Sequence, residues 1–272
     1  MTEAEGPKGR VLIVAGSDSG GGAGIQADIK TVTMLGGYAM TAVTAITVQD
    51  TKGVHGAWPV PVDAVLGQIR VTLSDIGADV IKTGMLGSAS LVESIAQCLD
   101  ETAQLIPRII DPVIVATSGD RLVDAKAVEA IRSELVLRAR LVTPNAPEAE
   151  VLTGRAVETV DGQRRAAERL LELGAHGALV KGGHIGGSMI TDVLQTTTGE
   201  WIFESPRLLT MSTHGTGCTL ASAISAYLAQ GASVPDAVEK AREYLREAIR
   251  TAKGFGHGHG PVNHGWILDR DR

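Results

Sequence analysis

Short apolar runs alternate with longer amphipathic segments along the whole chain. The run "VLIVAG" (11–16) predicts a buried strand, and "GIQADIKTVTMLGG" (24–37) follows with Ile25, Ile29, Val32 and Leu35 at helical spacing. "YAMTAVTAITVQ" (38–49) is β-branched enough to be a strand, and "VDAVLGQIRVTLSDIGA" (62–78) is a helix with Asp63 in its first turn. "DVIKTGML" (79–86) predicts a strand, and "SLVESIAQCL" a helix that puts Cys98 on its apolar side. The same grammar then repeats: a strand "RIIDPVIVA" (108–116), a helix at 125–135, and a strand, turn and helix in "RLVTPNAPEAEVLTG" (140–154). The helix "GQRRAAERLLELG" (162–174) leads to the strand "GALVKGGH" (177–184) and a hairpin over 189–206, Thr–Gly at its turn. Helices at 216–231 and 235–252 and a tail "GFGHGHGPVNHGW" complete the pattern.

Such alternation predicts an α/β fold with a mainly parallel central sheet and helices on both faces. No linker or shift in composition divides it, so residues 1–272 are expected to form one domain. Ligands of such sheets collect outside the carboxyl ends of the strands. The residues just past a strand therefore matter most: Asp18, Gln49, Met85, Asp111, Asn145, Lys181 and the loop Thr213–Cys218.

Composition narrows the function without choosing it. The formal net charge is −6 and aromatics make up 3%, which argues against nucleic acid as a partner. No apolar run is long enough for a membrane span, and the polar, acidic start is unlike a secretory signal. With only Cys98 and Cys218 and no zinc spacing, the protein is expected in the cytoplasm with both thiols reduced.

Three glycine-rich elements follow strands. In "GSDSGGGAG" (16–24), Gly22, Gly24 and Ala27 fit G-x-G-x-x-A, but the acidic residue expected about twenty positions later is met only loosely by Asp50. "VKGGH" (180–184) sets Lys181 beside a double glycine, either as a solvated turn or as a phosphate contact. "STHGTGCTLASA" (212–223) places Gly215, Thr216, Gly217 and Cys218 at the start of a helix, where backbone amides can hold an anion. Cys218 itself could be a core residue, a covalent nucleophile with His214 as base, or a proton acceptor beside a bound phosphate. Asn145 and Glu148 could be a helix cap or a phosphate and metal signature, and His257, His259 and His264 a metal tract or a mobile glycine loop.

Taken in order, "AGSDSGGGAGIQADIKT", "TAITVQDTKGV", "KTGMLG", "DPVIVATSG", "TPNAPEAEVL", "VKGGH", "STHGTGCTLASA" and "GHGHGPVNH" resemble the hydroxymethylpyrimidine/phosphomethylpyrimidine kinases of thiamine biosynthesis, a ribokinase-like family. The resemblance implies two successive ATP-dependent phosphorylations, of 4-amino-5-hydroxymethyl-2-methylpyrimidine and then of its monophosphate. It implies a pyrimidine site at Gln49, Asp28, Gly16, Met85 and Val113, with Thr47 in its wall. It further implies nucleotide contacts at Lys181, Asn145, Glu148 and Thr213, Mg²⁺ near Asp111 and Glu148, and Cys218 as the base where ribokinase-type sugar kinases carry aspartate. A helix N-terminus would raise the ionised fraction of that thiol. A pyridoxal kinase of the same fold is the second reading, and a homodimer is the expected assembly.

Overall fold

The structure, a computed structural model, describes residues 6–114 and 123–269, so the part of "DPVIVATSG" beyond Ile114 lies outside the described residues. Strand β1 (Arg10–Ser17) runs into helix α1 (Gly24–Met34), then β2 (Tyr38–Gln49) and β3 (Val54–Pro59) form a hairpin followed by α2 (Val62–Asp75). β4 (Val80–Thr83), α3 (Ala89–Thr102), β5 (Arg108–Ile110), α4 (Ala125–Ala130), β6 (Leu141–Val142), α5 (Ala146–Thr153), α6 (Val160–Glu172) and β7 (Gly177–Val180) continue the alternation. The hairpin β8 (Met189–Thr196) and β9 (Gly199–Pro206) precedes α7 (Thr216–Ala229) and α8 (Val234–Arg250). All nine strands join one sheet in the order β3-β2-β1-β4-β5-β6-β7-β8-β9. The six central strands are parallel, while β3 and the β8–β9 hairpin add antiparallel edges.

The period of two along the strands divides the core between two faces. Leu12, Val14, Ile81, Ile110 and Val142 meet α2, α3, α4, α5 and α6 on one face. Their neighbours Val80, Ile109, Leu141 and Leu179 meet α7 and α8, and Val11 and Ile13 meet α1. Cys98 is buried in the first of these layers, so it is packing material. Ile29, expected on the inner face of α1, is instead 38% exposed, because α1 lies flat against β1 and α7 along a narrower stripe.

One strand is added to the expected elements and three expectations are corrected in detail. β3 carries no strong alternation of its own; it forms because β2 extends beyond the sheet and offers an unpaired edge, met in register from Ala45–Pro59 to Val48–Gly56 and, after a shift, at Gln49–Val54. β5 stops at Ile110, since Pro112 cannot donate to a ladder and Val113 turns to φ +37°, a left-handed conformation costly for a β-branched residue. The helix expected over 125–135 is α-helical only to Ala130 and widens into a π turn over Ile131–Leu135. The β8–β9 turn is Thr197–Thr198, with Gly199 already paired to Thr196.

The glycine-rich tail is packed, not mobile. His259 N donates to Thr51 O at 2.7 Å, and His214 N donates to Gly260 O at 3.1 Å. A Cβ at Gly258 would lie 2.1 Å from Thr51 O, so glycine there permits close backbone approach. Further on, Thr219 gives its hydroxyl proton to Gly215 O, so its oxygen accepts from His264 Nε2–H at 3.0 Å. Burial, with Lys30 adding, pulls the His264 pKa down to about 4.

That burial has a measurable consequence. A histidine held neutral by folding contributes stability above its unfolded pKa near 6.5, and loses it as pH falls towards 4. Thermal or urea unfolding of His264→Asn across this window is therefore expected to show an acid loss smaller than the wild type's by roughly 3 kcal/mol. Equal pH slopes in the two proteins would refute the neutral, buried assignment.

Candidate active site

A cleft of about 1120 Å³ opens at the carboxyl ends of the parallel strands. Asp18, Gln49, Met85, Asp111, Asn145 and Lys181, each just past its strand, all line it, together with Thr213–Cys218. One lobe lies between the glycine loop after β1 and the β2–β3 hairpin. The other extends between the β8–β9 hairpin and α8, where Ile190, Ile202, Phe203, Leu245 and Ile249 give it apolar walls.

The first lobe is organised by Asp18. Its Oδ1 accepts from Gly20 N at 2.7 Å, and its Oδ2 accepts from Gly22 N at 3.0 Å and Ala23 N at 2.8 Å. His214 Nε2 donates to the same Oδ2 at 2.8 Å, which ties the loop after β1 to the one before α7. Burial pushes the Asp18 carboxyl up, but the His214 contact and the loop amides outweigh it and hold it below the usual carboxylate range. Gln49 is anchored through its backbone to Ser19 Oγ at 2.9 Å, and its side-chain amide reaches the cleft 3.5 Å from His214 Nε2. Thr47 donates to Ser17 O at 2.8 Å, closing the wall beneath Gln49. Gly16 is pressed against Met85, whose Cε would lie 2.5 Å from an added Cβ.

The floor between the lobes is the amino end of α7. Gly215 caps it at φ +76°, and a Cβ there would come within 1.8 Å of Gly22 O. The Gly217 and Cys218 amides find no acceptor among the described residues, as the first turn of a helix requires unless a ligand supplies one. Opposite them, a Cβ on Gly217 would stand 3.4 Å from Lys181 Nζ and 3.9 Å from Asp111 Oδ2. Lys181 donates to Asp111 Oδ1 at 3.2 Å, and Thr143 donates to the same oxygen at 3.0 Å. Burial opposes the Lys181 charge, yet Asp111 and Glu148 outweigh it and raise its pKa.

Asn145 and Glu148 form a capping box at the start of α5: Glu148 N donates to Asn145 Oδ1 and Asn145 N to Glu148 Oε2, both at 2.9 Å. Glu148 Oε1 accepts from Ile114 N at 3.2 Å, just past the strained Val113. Burial pushes the Glu148 carboxyl up, with Lys181 opposing. The helix-cap reading is therefore real, and it also fixes Glu148 beside Lys181 and Asp111. Asp111 Oδ2 has no donor among the described residues and faces the α7 terminus, so this donor set suits a hydrated ion held mainly by phosphates. No cluster of three or more metal-ligating side chains occurs among the described residues, the tail histidines included.

Two expectations change here. Asp28 does not line the cleft: it is fully buried, held by Lys82 Nζ at 2.9 and 3.0 Å and by the Ser222 hydroxyl at 2.6 Å. Asp28 faces inward from α1 and pairs with Lys82, which does line the cavity. The Cys218 thiol is not eased towards ionisation by its helix terminus: burial pushes it up to about 12, with Lys82 pulling down and Asp28 and Asp111 pushing further up. Lys82 and Ser222 were not singled out by sequence reasoning, which raised His214 as a possible base for Cys218 but not as the partner of Asp18. The available signal was Lys82 itself, a charge in the middle of the otherwise uncharged strand "VIKT".

Comparison with known proteins is consistent across the chain. Residues 18–263 match the family model described as phosphomethylpyrimidine kinase. The chain is 49% identical over 258 residues to a hydroxymethylpyrimidine/phosphomethylpyrimidine kinase of Streptomyces coelicolor, covering 95% of each chain. It is 50% identical to the thiamine biosynthesis bifunctional protein ThiED of Geobacter sulfurreducens, where it spans 52% of that longer protein and 95% of itself is covered. Among solved structures, the ADP complex of Bacillus subtilis pyridoxal kinase superposes with a TM-score of 0.89 at 34% identity, covering 97% of this chain and 100% of that one. A phosphomethylpyrimidine kinase from Clostridium difficile gives 0.80 at 37% identity, covering 89% of this chain and 100% of that one.

The glycines of the α7 terminus make separable predictions. Gly215→Ala forces a side chain into Gly22 at positive φ and is expected to destabilise the fold by more than about 1 kcal/mol. Gly217→Ala meets only ordinary contacts and should leave the melting temperature nearly unchanged. Thermal unfolding of both variants checks the contrast, and equal melting temperatures would contradict it.

Proposed function

The chain belongs to the phosphomethylpyrimidine kinase family, and on that premise we propose how its cleft performs the two phosphorylations. The enzyme is a phosphotransferase of thiamine biosynthesis that uses ATP to phosphorylate 4-amino-5-hydroxymethyl-2-methylpyrimidine and then its monophosphate. The observation that carries the residue assignment is the juxtaposition of Cys218, the free α7 amides and the Lys181–Asp111 pair on one floor.

The pyrimidine lies in the first lobe against Gly16, Met85 and Val113. The Gln49 amide supplies both a donor and an acceptor to its aminopyrimidine edge. The nucleotide occupies the second lobe with its base between Ile202 and Ile249, and its terminal phosphate meets the amides of Gly215, Thr216, Gly217 and Cys218. Thr213 and Lys181 flank that phosphate, Lys181 as a movable point charge, while Asn145 and Glu148 keep the Asp111 side in shape. Mg²⁺, held by Asp111 with Glu148 nearby, would supply charge neutralisation between the phosphates. Cys218 accepts the hydroxyl proton as the oxygen attacks phosphorus, a modest task in a reaction governed by positioning. Partner copies meet at the outer face of the β2–β3 hairpin, where Ile46, Val48 and Trp58 are 56%, 50% and 58% exposed.

Product analysis by mass spectrometry with ATP–Mg²⁺ tests the substrate. Sequential pyrimidine mono- and diphosphate is expected, and phosphorylation of pyridoxal alone would overturn it. Cys218→Ala should lower kcat about 10²-fold or more with KM little changed, whereas Gln49→Ala should raise the pyrimidine KM with a smaller effect on kcat. The reverse pattern would exchange or remove the two roles. Light scattering of Ile46→Glu is expected to report monomer where the wild type is a dimer; a monomeric wild type would remove the assembly.

A further inference from the structure

A lysine with no exposed side-chain surface sits under the reaction floor and has no part in the assignments above. Lys82 points from β4 towards α1 and α7, and its side chain is 0% exposed, as is that of Asp28. Both Asp28 oxygens receive its ammonium, at 3.0 and 2.9 Å. Its third N–H has no acceptor among the described residues. Gly84 lies over it on the cleft side: a Cβ there would stand 3.2 Å from Nζ, so glycine keeps the charge close to the cavity. Ser222, one helical turn beyond Cys218 on the same face of α7, donates to Asp28 Oδ1 at 2.6 Å. The chain of contacts Lys82–Asp28–Ser222 therefore fixes a cation beneath Cys218 from three separate elements.

We propose that Lys82, clamped by Asp28 and Ser222, is a positioning residue for phosphoryl transfer, the fixed counter-charge for negative charge on the Cys218 sulfur and the attacking oxygen. The inference rests on the reading of Cys218 as base. In the step it serves, the substrate O–H bond breaks and its proton passes to the Cys218 thiolate. The oxygen electron pair forms the new O–P bond, and the bond to the leaving ADP oxygen breaks. A thiol pushed as high as this one needs a cation at hand to be a thiolate at all. Of the groups around it, Asp28 and Asp111 oppose ionisation, while Lys82 is the largest favourable influence, assisted by the Gly24 amide and by Lys181, which also answers to Asp111 and Glu148. Burial works against the Lys82 charge, but Asp28, with Cys218 and Asp111 adding, keeps it protonated. Breaking such a buried pair leaves an uncompensated charge, which is why the clamp is complete before substrate arrives.

The test is alkylation of Cys218 by iodoacetamide as a function of pH, read by mass spectrometry in buffer without nucleotide or metal. Buried Cys98 serves as a sentinel for unfolding. Lys82→Met is expected to slow alkylation about tenfold or more at any one pH between about 8 and 10. Asp28→Asn removes the opposing charge and should speed it. A purely structural role would move both variants in one direction, and that result, or no shift in either, overturns the proposal. If Cys98 becomes reactive in Lys82→Met, Asp28→Asn decides alone: an unchanged or slower rate refutes it. In kinetics Lys82→Met should lower kcat at least about tenfold with KM within about threefold, the deficit narrowing as pH rises. A Cys218→Ala enzyme with normal kcat would instead refute the base reading while leaving the alkylation result standing.

Discussion

The arrangement depends on one close approach, that of the α7 amino end to the glycine loop after β1. Gly215 and Gly22 touch backbone to backbone, at a distance no side chain permits. Around this contact Asp18 gathers three loop amides and the His214 ring, so the amino end of α7 and the wall of the first lobe are one unit. A helix terminus left without acceptors is costly when buried away from water, and an incoming phosphate relieves that cost. Binding and fold are thus coupled at the same few amides.

A second constraint is charge. Three carboxylates and two lysines lie at or under the floor: Asp28 with Lys82 below it, Asp111 and Glu148 with Lys181 at its level. In so little water each charge depends on its partners, and the upper group sets two carboxyls against the single Lys181. The lower pair is sealed, while in the upper one Asp111 Oδ2 has no donor among the described residues and faces the α7 terminus. The Glu148 cap serves both purposes, ending the turn after β6 and holding a carboxylate beside Lys181. Structural and functional readings of Asn145 and Glu148 are therefore complementary.

The packed tail extends the same logic to the rim. His259 and Gly260 bond to Thr51 and His214, joining the end of the chain to the β2–β3 hairpin and to the α7 loop. The hairpin carries Gln49 on its inner side and Ile46 and Val48 on its outer side, so its position shapes the first lobe of the cleft.

Local pattern determined much of this protein. The unbroken apolar run "VLIVAG" and the period of 3.6 in "LVESIAQCL" specified elements because burial on both sheet faces or on a helix stripe selects those patterns, and strand–helix alternation placed the site at the strand ends. The glycines and Cys218 of "HGTGC" announced a helix terminus for the same reason, since only backbone geometry is involved. What the sequence left open were matters of depth and distance. Whether Asp28 reaches the cavity or a lysine beneath it, whether the Cys218 thiol is eased or hindered, and whether the tail histidines stand free or are packed all depend on contacts between residues far apart in the chain. Dielectric, burial and the pairing of charges belong to the assembled layers, and only the tertiary structure decides them.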